Sequence, residues 1–310
     1  MHVTRAFLTR AATVAASLAT VAIVAVGMAV VELSSPDVEA SAARNQGVAG
    51  TARPGSTYVA LGSSYAAGPG VTRLADRRCL RTTDNYPHQV AAARGLSLTD
   101  VTCSGATTAN ILRTAQKPYA DVPQITAVTP DTDLVTVTIG GNDLSYISRV
   151  AAQACANTLA RLSRGSVISG CRVGARTYPE PSAAAYTAVE HAIAEIVSEV
   201  RARAPHARVV IVDYPPLIDP RAPMCSRIPL TVAQTAETIR VFDGLAAATA
   251  RAARTSGAAL VTASKAGAAH TACSPRPWLS GVEPPAPYHP TRLGKSGVAQ
   301  LVLRTLNRAG

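Results

Sequence analysis

Thr57-Tyr-Val-Ala-Leu-Gly-Ser-Ser-Tyr65 is the stretch that decides the fold. Its opening residues are apolar or β-branched without strict polar–apolar alternation, as in a parallel strand covered on both faces. The run stops at Gly62-Ser63-Ser64, a strand-to-helix turn, and small residues follow through Gly70. Working outward, Leu134-Val-Thr-Val-Thr-Ile139 has the same character and ends in Gly140-Gly-Asn-Asp143. Residues 207–212 (ARVVIV) and 258–262 (AALVT) read as further strands, and the stretch around Val101 as a weaker fifth.

Helical patterns lie between these strands. Val189, Ile193, Ile196, Val197 and Val200 fall on one face at helical spacing, residues 231–255 are Ala-rich, and Val298, Leu301, Val302 and Leu306 form a last amphipathic stripe. Such alternation predicts an α/β protein, a three-layer α/β/α sandwich with a mainly parallel central sheet. No internal repeat or linker divides residues 57–310, which read as one domain. Pro, Gly and Arg cluster at 68–85, 170–182 and 213–230, as excursions from strand ends.

Of the 310 residues, 47% are hydrophobic and 16% charged, which excludes an intrinsically disordered chain. Only one long uncharged apolar run exists, which excludes a multi-pass membrane protein. That run covers residues 11–31, after Arg5 and Arg10, and Glu32 ends it. With Ala40-Ser41-Ala42 as a small-x-small cleavage site, residues 1–42 have the order of a signal peptide. The run is also long enough to span a bilayer, so an uncleaved signal anchor is the alternative. Either way the remainder is expected to be secreted or extracytoplasmic, with 43–56 as a flexible lead-in.

Formal net charge is +11, from 30 Lys plus Arg against 19 Asp plus Glu. Aromatics make up 4% and no basic stripe is interleaved with them, so nucleic acid is not the expected partner. A solvated basic surface, or an anionic membrane or cell-wall surface, fits the charge. Cys79, Cys103, Cys155, Cys171, Cys225 and Cys273 are an even set in the exported part, which favours three disulfides. Pairing neighbours closes the smallest loops, but spacing leaves all 15 connectivities open. No His, Cys, Asp and Glu cluster has metal-ligand spacing, and no metal or cofactor is expected.

Four segments carry residues suited to chemistry. Ser64 sits where ligands bind in open α/β sheets, beyond a strand's carboxyl end. A serine hydroxyl is a weak nucleophile until a base takes its proton; the plain alternative is a polar turn with a capping serine. Asn142, on the second glycine turn, carries an amide able to donate to a developing oxyanion; ordinary Gly-Asn turn chemistry is the alternative. In Cys103-Ser-Gly-Ala-Thr107, Gly105 offers an unobstructed N–H. In Pro287-Tyr-His-Pro-Thr291, His289 stands before a proline at a loop-to-helix junction, where an imidazole can move protons near neutrality. Among the other histidines only His270, near Cys273, rivals it as a base.

In the order Ser, Gly, Asn, His, these blocks resemble those of the SGNH hydrolases, the GDSL esterase/lipase family. Together with Asn85-Tyr86-Pro87 and the six-cysteine layout, they look most like the secreted actinobacterial esterases and lipases. The resemblance implies a flavodoxin-like sandwich and a serine carboxylic-ester hydrolase acting on lipid or other small esters; a monomer is expected. It implies Ser64 as nucleophile, His289 as general base and later acid, and an oxyanion hole from the Ser64 N–H, the Gly105 N–H and Asn142. It also implies disulfides Cys79–Cys103, Cys155–Cys171 and Cys225–Cys273. Two positions depart from the family pattern. Ser63 stands where the motif has Asp, and Ala286 stands where the family's orienting Asp precedes the histidine. A main-chain carbonyl, that of Ala286, would then hold the imidazole; Glu283 is the alternative orienter. A phospholipase or a sugar O-acetyl esterase would use the same site, and the two departures also motivate a catalytically inactive cell-envelope binding protein.

Overall fold

The computed structural model describes residues 54–161 and 178–308. The leader expected at 1–42, most of the lead-in, and Cys171 of the expected Cys155–Cys171 bridge lie outside the described residues. Five parallel strands form the central sheet: β1 (Thr57–Gly62), β4 (Ser97–Asp100), β5 (Leu134–Thr138), β6 (Arg208–Val212) and β7 (Ala259–Val261), in the order β4-β1-β5-β6-β7. A small antiparallel hairpin, β2 (Leu74–Asp76) with β3 (Arg81–Thr82), stands apart from it. The weak fifth strand ends at Asp100, one residue before Val101.

Strand periodicity sorts side chains into two cores. Val59, Leu61, Val135, Val137, Val209 and Ile211 face one way, against the helices α5 (Ala183–Arg203) and α6 (Val232–Ser256). Tyr58, Ala60, Leu134, Val210 and Val212 face the other way, against α2 (Tyr86–Arg94) and α8 (Arg292–Asn307). The three layers anticipated from the pattern are therefore present. Burying one Val, Leu or Ile side chain contributes about 1.5–3 kcal/mol. Strands packed on both faces thus give the loops at their carboxyl ends a well-buried base.

Local chemistry ends the helices as the sequence suggests. Thr231 caps α6 by accepting from Gln234 N, so the Ala-rich helix begins one residue later than the pattern. Thr291 caps α8 through Gly294 N. At the far end of α8, Arg208 of β6 donates to the carbonyls of Thr305 and Leu306, in the last turn, where helix carbonyls need outside donors. Cys79–Cys103 and Cys225–Cys273 are bonded. Among the described residues no helix is long and apolar enough to cross a membrane.

Candidate active site

β1 delivers its last residues to the sheet's carboxyl edge, where the backbone must turn at once. Gly62 has φ +152°, and a Cβ there would lie 2.6 Å from the Thr138 carbonyl oxygen of β5. Only glycine fits that approach. The buried amide of Gln124 then clamps the same residue from both sides, accepting from Gly62 N at 2.8 Å and donating to Gly62 O at 3.0 Å. Ser63 N donates to Thr138 O, and the chain enters the short helix α1 (Ser64–Ala67). Ser64 is its first residue. As such its N–H has no intrahelical acceptor.

The C-terminal loop brings His289 to this turn, with Nε2 2.9 Å from Ser64 Oγ. Nδ1 lies 2.7 Å from the Pro287 carbonyl. A carbonyl can only accept, so Nδ1 carries the proton and Nε2 presents its lone pair to the serine hydroxyl. Burial lowers the His289 pKa and outweighs the raising effect of the Pro287 bond. This favours the neutral imidazole, the form able to take a proton.

The acceptor is one residue from the carbonyl expected in the sequence. Ala286 O instead accepts from Ser280 Oγ at 2.8 Å. The shift has a backbone cause: Tyr288 adopts φ +63°, a left-handed conformation rare for a bulky residue. That turn carries the ring of His289 back over Pro287. Tyr65, next to Ser64, fastens the turn by donating from its hydroxyl to Tyr288 O at 2.8 Å. The Tyr65 ring also packs 5.6 Å from the imidazole, centroid to centroid. Glu283 is engaged elsewhere, in an ion pair with Arg227 at 2.5 Å.

Ser63 is turned away from the imidazole. It occupies the helix-capping position without a side-chain capping bond, and its Oγ lies 3.2 Å from the Tyr214 hydroxyl. Gly141 N donates to the same hydroxyl. A neutral tyrosine thus ties the first two glycine turns together at the place where the motif's aspartate is missing. Burial pushes the Tyr214 pKa up to about 12, which keeps the phenol protonated.

The other two blocks converge on the same edge. Cys103 N donates to Gly62 O, which sets the Gly105 loop beside the β1 turn. Gly105 has φ +87°, and its neighbours Ser104 N and Ala106 N donate to Cys79 O and Cys103 O. Asn142 Nδ2 donates to Ala106 O at 2.8 Å, which fixes the plane of the amide next to Gly105. Asp143 accepts from Thr108 N and Oγ1, so the loop bearing Gly105 and the loop bearing Asn142 are joined twice. Burial raises the Asp143 pKa against these bonds.

His270, the rival base, stacks on Trp278 at 4.9 Å and has its Nδ1 2.9 Å from Arg276 O. A cavity of about 300 Å³ beside His289 is walled by Val71, Ser280, Ala286, Arg292 and Lys295. A second, of about 230 Å³, is lined by Tyr146, Leu217, Ile218 and Phe242 and includes neither Ser64 nor His289. No cluster of metal ligands occurs among the described residues. Gln124 and Tyr214 are not legible as site residues, because each reaches the turn from a distant segment that carries no motif, and Tyr65, although beside Ser64, shows its role only through a contact with Tyr288, 223 residues away.

Residues 60–296 match the model of the GDSL-like Lipase/Acylhydrolase family. The chain is 39% identical over 268 residues to Lipase 2 of Streptomyces coelicolor, covering 82% of this chain and 87% of that protein. Among solved structures, phospholipase A1 from Streptomyces albidoflavus NA297 superposes with a TM-score of 0.60 and 29% identity, over 83% of this chain and 100% of that one. The extracellular lipase from Streptomyces rimosus gives 0.60 and 28%, over 82% and 100%.

Proposed function

Because this chain belongs to the GDSL-like lipase/acylhydrolase family and is a carboxylic-ester hydrolase, we propose that it works through a Ser64 acyl-enzyme with His289 as the proton carrier. The observation that carries the reading is the 2.9 Å contact between His289 Nε2 and Ser64 Oγ. His289 removes the hydroxyl proton as Ser64 Oγ attacks the ester carbonyl. The Ser64 and Gly105 N–H groups and the Asn142 amide donate to the oxyanion. His289 then protonates the departing alcohol. Water, deprotonated by the same imidazole, releases the carboxylic acid and regenerates the serine. The Pro287 carbonyl does the orienting work of the missing acid: it fixes the tautomer and faces the imidazolium as that charge forms.

The Streptomyces relatives include lipases and a phospholipase A1, which favours lipid esters as the substrate class. The S. rimosus relative is extracellular, and the leader read in residues 1–42 supports export of this chain too. An N-terminus at Ala43 in the mass of the exported protein is the outcome for cleavage; retention of the apolar run would make it an anchor.

The deciding experiment follows nitrophenyl butyrate hydrolysis and fluorophosphonate labelling in single variants. Ser64→Ala loses labelling and about 10³-fold or more in kcat, whereas Ser63→Ala keeps labelling. Glu283→Gln stays within about threefold of the parent, since its partner is Arg227; a loss near 10⁴-fold would make Glu283 the orienter. Absence of turnover and labelling in the parent protein would favour the inactive binder.

A further inference from the structure

Four exposed apolar side chains gather on one stretch of surface. Val71 (82% exposed) precedes the β2–β3 hairpin, Leu80 stands in its turn, and Tyr119 and Val122 lie on the segment beside that tip. The two segments are joined: the Arg78 guanidinium donates to Pro118 O, and Cys79 Sγ lies 3.9 Å from Tyr119 O. Both ends of this strip reach the catalytic edge. Val71 walls the cavity that contains His289. At the other end the Cys79–Cys103 bridge and the bond from Ser104 N to Cys79 O fasten the tip to the Gly105 loop. Gln116, from the Tyr119 segment, donates to Ser104 O.

Charge runs along the same strip. Arg73, Arg77, Arg78 and Lys117 are exposed. The nearby carboxylates are spent: Asp76 pairs with Arg81, Asp121 with Arg78, and Asp84 with Lys295. Arg73, Arg77 and Lys117 have no carboxylate partner among the described residues. Leu80 takes φ +53°, which turns a leucine outward at the tip where a left-handed residue is ordinarily Gly or Asn.

We propose that this strip docks the enzyme onto an anionic lipid surface, with Val71, Leu80, Tyr119 and Val122 entering the headgroup region and Arg73, Arg77 and Lys117 meeting lipid phosphates. This rests on the ester-hydrolase reading for its biological sense, though the docking itself does not require catalysis. Isolated aliphatic and aromatic tips set among cations are what an anionic interface accommodates. A second copy of this chain is disfavoured, because two such faces would set arginine against arginine. Docking this way points the mouth of the site at the membrane, so an ester leaves the bilayer directly into reach of Ser64.

Full-length Ser64→Ala protein should sediment with vesicles of phosphatidylglycerol and phosphatidylcholine, more weakly as salt rises and more weakly on phosphatidylcholine alone. The apolar leader is common to all variants, so only differences between them count. Adding Arg73→Glu with Arg77→Glu, or Leu80→Asp with Tyr119→Asp, should weaken binding about tenfold or more. In the active protein the same pairs should leave turnover of dissolved nitrophenyl acetate within twofold while lowering hydrolysis of vesicle lipid. The milder Arg73→Gln with Leu80→Ser covers loss of folding in the charge-reversal variants. Equal vesicle binding by all variants, or a dimer of the parent that these substitutions dissolve, would overturn the proposal. Failure of the ester-hydrolase reading would look different: no turnover of any ester, with the variant-dependent vesicle binding intact.

Discussion

His289 and Pro287 show how a backbone carbonyl can hold an imidazole where no side-chain carboxylate reaches it among the described residues. The imidazole is oriented by a carbonyl dipole at 2.7 Å, and burial lowers its pKa. A base must be neutral to act, so a lowered pKa keeps it competent in more acid solution. The acid limb of kcat/KM should therefore have its midpoint below the ordinary imidazole value of about 6.5, with slope one because no acid partner titrates alongside. A pH–rate profile of the free enzyme on a dissolved ester checks this, and a midpoint at or above that value would refute it. Ser64, Gly105, Asn142 and His289 were readable because each sits in a short block with glycine or proline punctuation. The carbonyl was misplaced by one residue because the left-handed turn at Tyr288 is held by Tyr65 OH, a contact 223 residues away in sequence that local pattern does not encode.

At the level of elements, strands and long helices were the most legible features, since two-sided burial and helical spacing write themselves into composition. The β2–β3 hairpin leaves little trace in the sequence, being short and arginine-rich, and α2 shows only its proline start at Pro87, with weak amphipathic contrast beyond it. Yet α2 and α8 form one whole layer. Lys295, in the second turn of α8, is buried and reaches across to the loop before α2, with Nζ 2.7 Å from Asp84 Oδ1 and 3.1 Å from Thr82 Oγ1. Burial raises the Asp84 pKa, but hydrogen bonds from Lys295, Thr72 and Thr82 outweigh it and the net shift is downward. The carboxylate's contribution is thus present above its unfolded pKa and is lost as pH falls through its lower folded value. Asp84→Asn leaves a buried ammonium without its counter-charge and should cost about 3 kcal/mol, the lower end of the range because Asp84 keeps some solvent contact. Denaturant midpoints check it; pairing Asp84→Asn with Lys295→Met should recover part of the loss, and no recovery would mean the charge pair is not the cause.

For the molecule as a whole, the two bridges Cys79–Cys103 and Cys225–Cys273 tie loops that follow strand ends, outside the sheet itself. The Cys79–Cys103 bridge closes a loop of sequence separation 24 and fixes the Gly105 segment against the hairpin. Replacing both cysteines by serine should lower stability by about 3 kcal/mol, read as a shift in denaturant midpoint. It should also lower kcat more than it raises KM, because the Gly105 N–H loses its fixed place; unchanged kcat would separate this bridge from the chemistry. Spacing alone leaves the pairing order open, whereas the family resemblance implies it. Ser64 and His289, finally, are 225 residues apart in the chain and meet only through the tertiary fold. A ribosome-bound or half-translocated polypeptide would hold one reactant without the other. The pair is complete only once the C-terminal segment is in place, so a chain ending before residue 289 would carry the serine with no imidazole beside it.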